Sequence, residues 1–298
     1  MVERTLAAIV REQAGVAWSR AKKLCSEGRV TVDGERWTDP AARVPLQAVV
    51  VVNENAPRQR PGALPKESIV FFDRDLVVVD KPAGMLSVAD EPGNKETLGN
   101  HLRTLLRREG GGDTALAVVH RLDRDTSGIM VFARTAPAQR SLAAQFRDHS
   151  AERAYVGIAH GEVASTKIES DLVLDRGDGL RGSFGKFRRA RGALPPEARH
   201  AVTHVEALRP LRGATLVECR LETGRQHQIR IHLAELGHPL VGEAVYIRDY
   251  EGRRIESPRP MLHARTLGFI HPRTGQPVGF EREAPADFQE MLARLAAP

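Results

Sequence analysis

The sequence predicts an α+β fold with a mixed, largely antiparallel central sheet and flanking helices, preceded by a small N-terminal helix–hairpin unit. Three observations carry this. Segments with strand-like alternation follow one another at 152–161, 200–208 and 215–222, whereas a doubly wound sheet alternates strand and helix. Helical spacing appears only at irregular intervals, at 98–109 and from Thr135 through Phe146. A proline-rich stretch, NENAPRQRPGALPKE, holds Pro57, Pro61 and Pro65 and reads as an extended linker. The expected division is a unit over 1–52, a linker over 53–67 and a larger domain over 68–298.

In the first unit, Ser19 is expected to cap a helix, AKKLCSE, that stops at Gly28. RVTVDGERW reads as a hairpin, with Asp33-Gly34 suited to a two-residue turn. Lys22, Lys23 and Arg29 cluster at the helix end, where the plain reading is a solvated helix face. After the linker, IVFFDRDLVVVDKPAG forms a strand pair broken at Asp73-Arg74-Asp75, and LGNHLRTLLRRE a helix. LAVV (116–119) and IMVFA (129–133) read as buried strands joined by the turn HRLDRDTSG. Thr135 is placed to cap the next helix. In TLVECRLE, Val217, Cys219 and Leu221 alternate with Glu218, Arg220 and Glu222, as a half-buried strand should. Thr223 and Gln226 then suggest a capping box, with Gly237-His238-Pro239 closing the helix. Ile229, Leu233 and Leu236 share its apolar face, with Arg230 at the edge.

Composition sets the class. Over 298 residues, 41% hydrophobic content suffices for a packed core. A net charge of +6 and a pI near 9.7 favour a polyanionic partner, nucleic acid first. Two distant cysteines, Cys25 and Cys219, argue for a reducing compartment and against a disulfide framework or a structural zinc site. Glu3, Arg4, Arg11 and Glu12 interrupt any apolar leader, and no stretch reaches the ~18 apolar residues of a membrane span. The expectation is a cytoplasmic protein without a membrane partner, monomeric by default.

HRLDRDTSG admits three readings. Asp123, Asp125, Ser127 and Gly128 fit the start of a calcium loop, but Arg134 stands where that loop needs its bidentate glutamate. Asp125, Thr126 and Ser127 can instead satisfy backbone groups in a plain turn. Asp123, between Arg121 and Arg124, can be a reactive carboxylate kept ionised by nearby positive charge. On ERAYVGIAHG, Tyr155 shares its strand face with Gly157 and Ala159, a small-residue floor for a flat ring, or else it bridges core and surface. His227 and His232 stand five apart on different helix faces with no third ligand, so zinc is not expected. Residues 176–199 hold seven Lys/Arg against two acidic residues, interleaved with Phe184 and Phe187, and read as an RNA-facing loop through Arg188 and Arg189 or as a solvated linker.

Two resemblances build on these residues. SRAKKLCSEGRVTVDGERWTDPAARV is similar to the alpha-L RNA-binding module, which implies a basic helix face lying on RNA phosphates. VVHRLDRDTSGIMVFA resembles the central motif of the RluA-type pseudouridine synthases. VVDKPAGMLSV (78–88), ERAYVGIAHG (152–161), ETGRQHQIRIHLAELGHPLVGE (222–243) and the stretch 259–288 resemble that family's other motifs, in family order. Gln226 departs from the family's usual threonine or serine, and Ala83-Gly84-Met85-Leu86 from its usual first-motif ending.

The resemblance implies the pseudouridine synthase fold and isomerisation of uridine in RNA without a cofactor or metal. It implies Asp123 as the catalytic carboxylate and Arg230 as its ion-pair partner. Tyr155 would pack beside the base, and Arg121 would hold the base out of its stack. Large-subunit ribosomal RNA is the favoured target and transfer RNA an open one. The alternative is a non-catalytic RNA-binding or ribosome-assembly protein on the same scaffold.

Overall fold

The computed structural model describes residues 4–45, 47–56, 64–90, 96–110, 115–186 and 193–296. It divides into two units, Met1–Gly62 with Ala244–Arg248, and Ala63–Glu243 with Asp249–Pro298.

The smaller unit packs α1 (Leu6–Ala14) against α2 (Trp18–Ser26). Thr5, in the short strand β1 (Arg4–Thr5), caps α1 by accepting from the Ala8 amide, and Gly15 ends it in the left-handed region. The three-stranded sheet joins β2 (Val30–Val32), β3 (Glu35–Arg36) and β5 (Val50–Val52), while β4 (Arg43–Val44) pairs with β1. Asp33 and Gly34 both take positive φ, 51° and 85°, which makes the tight primed turn expected of them. Leu6, Val10, Leu24, Cys25, Val30 and Val44 close the core. One expectation fails here. Ser19 lies inside the first turn of α2, whose cap is Ala17 with no side-chain bond, because Trp18 already belongs to the helix.

The larger unit is built on one eleven-stranded sheet. Its strands are β6 (Ile69–Phe72), β7 (Leu76–Lys81), β8 (Ala117–Val118), β9 (Ser127–Ala133), β10 (Glu152–His160), β11 (Thr166–Val173), β12 (Gly182–Ser183), β13 (Arg199–Leu211), β14 (Ala214–Leu221), β15 (Leu262–Ile270) and β16 (Pro277–Glu281). The order is β12-β11-β13-β14-β10-β15-β9-β7-β6, with β16 on β15 and β8 on β9. Only the β15–β9 contact is parallel, so the sheet is mixed and largely antiparallel as expected.

Alternation along the strands feeds three separate core clusters. Val77, Val79, Met130, Phe132 and Tyr155 face the side covered by α3 (Leu98–Arg108) and α5 (Gln228–Glu235). Leu76, Val78, Ile129 and Val131 face α4 (Ala136–Arg147), while Val156 and Ile158 face α6 (Ala286–Ala296). Thr135 caps α4 as expected, accepting from the Ala138 amide. Both faces of the central strands are therefore buried, at a return of about 25 cal/mol per Å² of apolar surface removed from water.

Four local expectations are corrected. LAVV contributes only the two-residue β8, and Val118 is exposed, because that segment is an edge beside β9. Glu218 is buried rather than solvated, held by ion pairs to Arg220 at 2.6 Å and Arg265 at 3.0 Å. The Thr223–Gln226 box does not form. α5 starts only at Gln228, whose side chain accepts from Thr223 Oγ1 at 2.8 Å and from the Arg225 amide at 2.9 Å. Leu236 lies at the exposed helix end rather than on the apolar face with Ile229 and Leu233.

Candidate active site

Asp123 sits in the loop between β8 and β9, and several bonds fix that loop. Ser87 and Leu122 bond reciprocally: the Ser87 hydroxyl donates to the Leu122 carbonyl at 2.7 Å and accepts from its amide at 3.1 Å. Lys81, with 0% of its surface exposed, donates to the carbonyls of Pro82, Met85 and Arg124 at 3.0, 2.8 and 2.7 Å. Burial pushes its ammonium down to about 7, against the pull of Asp125 and Asp123. Arg259 donates to the Asp125 carbonyl at 3.1 Å, and its other nitrogens hold Asp287. The plain-turn reading fails for Ser127, whose hydroxyl meets His263 across the sheet at 3.0 Å.

The carboxylate of Asp123 opens into a cleft of about 500 Å³ also lined by Arg121, Tyr155, His227 and Arg230. Arg230 Nη1 lies 3.8 Å from Oδ2, and His227 Nε2 lies 3.9 Å from Oδ1. Neither oxygen accepts a hydrogen bond among the described residues, so both remain open to a substrate. Arg230 is itself anchored by Glu243, to which Nε and Nη2 donate at 2.8 and 2.7 Å, with both side chains buried. That fork-to-fork geometry is the strong form of an arginine–carboxylate pair.

Tyr155 lies on β10, 8% exposed, with its hydroxyl pushed up to about 12, by burial first, against the opposing charge of Arg153. It is a neutral aromatic wall of the cleft. His227 precedes α5 with φ 61°, and burial, then Arg230, pushes it down to about 4, so its ring is neutral at pH 7. His120 accepts from the Val131 amide at 3.0 Å through Nε2 and stacks on Phe146 at 4.3 Å.

The cleft thus gathers Asp123, Arg230, Tyr155 and Arg121. Arg121 is exposed and forms no ion pair with Asp123 among the described residues. In the smaller unit, Lys22 and Lys23 are exposed on α2, whereas Arg29 pairs with Glu27 at 3.0 Å. Arg188 and Arg189 lie outside the described residues. Sequence reasoning misses Glu243 and Lys81 as site residues. Each sits inside a quoted motif, but its partner lies on another element. No group of three or more metal-ligating side chains occurs among the described residues, and no described helix is long and apolar enough to cross a membrane.

The sequence signature of RNA pseudouridylate synthases matches residues 75–235, which hold Asp123, Tyr155 and Arg230. The chain belongs to the RNA pseudouridylate synthase family. Residues 4–50 match the S4 domain, which covers the helices and hairpin of the smaller unit. A protein of Zymomonas mobilis named ribosomal large subunit pseudouridine synthase D is 38% identical, over 99% of this chain and 93% of its own. One of the same name from Nitrosomonas europaea is 35% identical, over 84% of this chain and 71% of its own. The fold matches that of human RNA pseudouridylate synthase domain containing 4 with a TM-score of 0.62 at 23% identity, over 77% of this chain and 93% of that one. The family's reaction is isomerisation of uridine within RNA, and this chain is such an enzyme.

Proposed function

We propose that this enzyme acts on large-subunit ribosomal RNA and that Asp123 is its reacting carboxylate. The observation that carries the chemistry is a carboxylate whose oxygens accept no hydrogen bond among the described residues, beside a guanidinium fixed from behind by Glu243. Isomerisation breaks the bond from uracil N1 to the sugar C1′, turns the base, and joins C5 to C1′. C5 gives up its proton and N1 takes one up, so the product is an isomer and no electrons are exchanged. One carboxylate can serve whether it attacks C1′, removes a sugar proton or adds to the ring.

The uridine must first leave its stack, which costs a few kcal/mol. Tyr155 offers a face for the extruded base, and stacking of this kind is worth about 1–3 kcal/mol per base. Arg121, exposed at the edge of the cleft, is free to fill the place the base leaves. The exposed Lys22 and Lys23 of the S4 domain supply phosphate contacts that position the RNA without reading its sequence. Ribosomal RNA as the target is supported by the names of the relatives in Zymomonas mobilis and Nitrosomonas europaea.

The test is pseudouridine mapping in a strain lacking the gene. One or more uridines of the large-subunit RNA are expected to stay unmodified. The wild-type gene should restore them and an Asp123→Ala gene should not. Restoration by the alanine variant, or an unchanged large-subunit map, contradicts the reading.

A further inference from the structure

Arg153 is a cation without an anion. Its residue surface is 8% exposed, and among the described residues it forms no ion pair. Its Nη2 donates to the carbonyls of Glu222 at 3.0 Å and Leu221 at 3.5 Å, and its Nε has no partner. Burial depresses its pKa first, Tyr155 opposes this, and a second arginine lining the same cleft, Arg225, lowers it further. Arg225 donates Nε to the His200 carbonyl at 2.9 Å and likewise pairs with no carboxylate among the described residues. A Cβ on Gly224 would lie 2.5 Å from Arg153 Nη1, so the loop closes directly on the guanidinium.

Two guanidinium groups in a partly dry site repel each other, and a desolvated charge normally has a partner. Among the described residues no carboxylate fills that role for either arginine: Arg153 has only the Phe146 ring at 5.8 Å and the two backbone carbonyls. Both side chains line the same cleft as Asp123. Arg153 also precedes Tyr155 by two positions on β10, so both point to the same side, about 7 Å apart along the strand. That is the scale of a nucleotide's separation between its base and its phosphate.

We propose that Arg153 and Arg225 form a phosphate subsite that holds a phosphodiester flanking the uridine lodged beside Tyr155. The subsite deepens the reading of this cleft as a uridine site and rests on it. Paired arginines match phosphate oxygens through forked, charge-assisted bonds. The bound diester would fix the sugar of the reacting nucleotide against Asp123 and cancel the repulsion between the two cations.

The test uses the full chain and fluorescein-labelled decauridylate, in which any nucleotide can occupy the cleft. Its Kd is measured from about 50 to about 400 mM KCl for wild type, Arg225→Gln, Arg153→Gln and Arg153→Lys. For single strands each lost phosphate contact reduces the slope of log K against log salt by about 0.7. Arg225→Gln is expected to weaken binding about five- to tenfold at the lowest salt and to flatten that slope by about this amount. Arg153→Gln should do the same, and Arg153→Lys should retain most of the slope. Arg225 is half-buried, so its variant keeps the test valid should Arg153→Gln fail to fold. Unchanged slopes in Arg225→Gln, or binding that weakens with no change of slope, would overturn the proposal.

Competition by uridine 5′-monophosphate and uridine 3′-monophosphate reports which side of the nucleotide is held. Both competing no better than uridine would also contradict the subsite. The functional reading is tested separately, by pseudouridine formation in Asp123→Ala. Activity retained there with salt slopes that respond to the arginines sinks the reading and leaves the anion site standing.

Discussion

Glu243 takes two of the N–H groups of Arg230, Nε at 2.8 Å and Nη2 at 2.7 Å, and so leaves Nη1 facing Asp123 at 3.8 Å. The buried carboxylate acts as a bracket: it fixes the plane of the guanidinium, and that plane decides where Nη1 points.

Glu243→Gln should therefore lower activity and stability together. Removing one charge of a buried pair costs about 3–5 kcal/mol, since the other is left uncompensated. Urea unfolding should show a loss of this order. Turnover of the folded fraction should fall by about 10- to 100-fold, because a misaimed positioning group costs on that scale.

Lys81→Met tests how the loop is held. It removes the donor shared by the carbonyls of Pro82, Met85 and Arg124, and a buried acceptor left unmet costs about 1–3 kcal/mol. Arg124 adjoins Asp123, so turnover measured in folded protein should fall even where the melting curve is still cooperative.

These two residues also mark what the sequence makes legible. Asp123, Tyr155 and Arg230 stand out through motif context, and the sequence pattern places them on a turn, a strand and a helix respectively. Glu243 and Lys81 carry no comparable local signal, since each acts through a partner 13 to 43 positions away. The missed capping box has a related cause. Thr223 and Gln226 satisfy the spacing, yet Gln228 fills that role after bonding to Thr203 and the Val202 carbonyl on β13. Short edge elements suffer in the same way. LAVV reads as buried by composition, and only the sheet order shows that β8 lies beside β9 with one side open.

Acid should unfold the larger unit through four desolvated histidines, the buried His232 and His263 and the half-buried His120 and His227. Burial pushes His227, His232 and His263 down to about 4 and His120 to about 3. The unfolded chain binds protons at these positions near 6.5, so between there and about 4 it holds more protons than the fold does. Stability thus rises with pH across that window and is lost as pH falls through it. Each such histidine steepens the slope by at most about 1.4 kcal/mol per pH unit. Urea midpoints between roughly pH 4.5 and 7 should show this, and His232→Gln should flatten the dependence.

Gly128→Ala should be far more damaging than its size suggests. Gly128 is the second residue of β9 at φ 116°, and an added Cβ would lie 2.2 Å from the Ala264 carbonyl oxygen, at the parallel β9–β15 contact. Backbone must move, so a loss above about 4 kcal/mol or outright insolubility is expected. Gly275→Ala, at φ 69° with open space around it, should cost only about 1–2 kcal/mol. Expression and melting of the pair give the comparison.

The most direct measurement is tritium release from RNA carrying uridine labelled at C5, catalysed by purified wild type and by Asp123→Asn. Asparagine keeps the shape of the side chain and removes its charge and nucleophilicity. The expected result is a loss of at least about a thousandfold in rate, with RNA binding and the melting temperature close to wild type. Release at a rate within about tenfold of wild type, in protein free of wild-type contamination, would contradict the assignment of Asp123 as the reacting carboxylate.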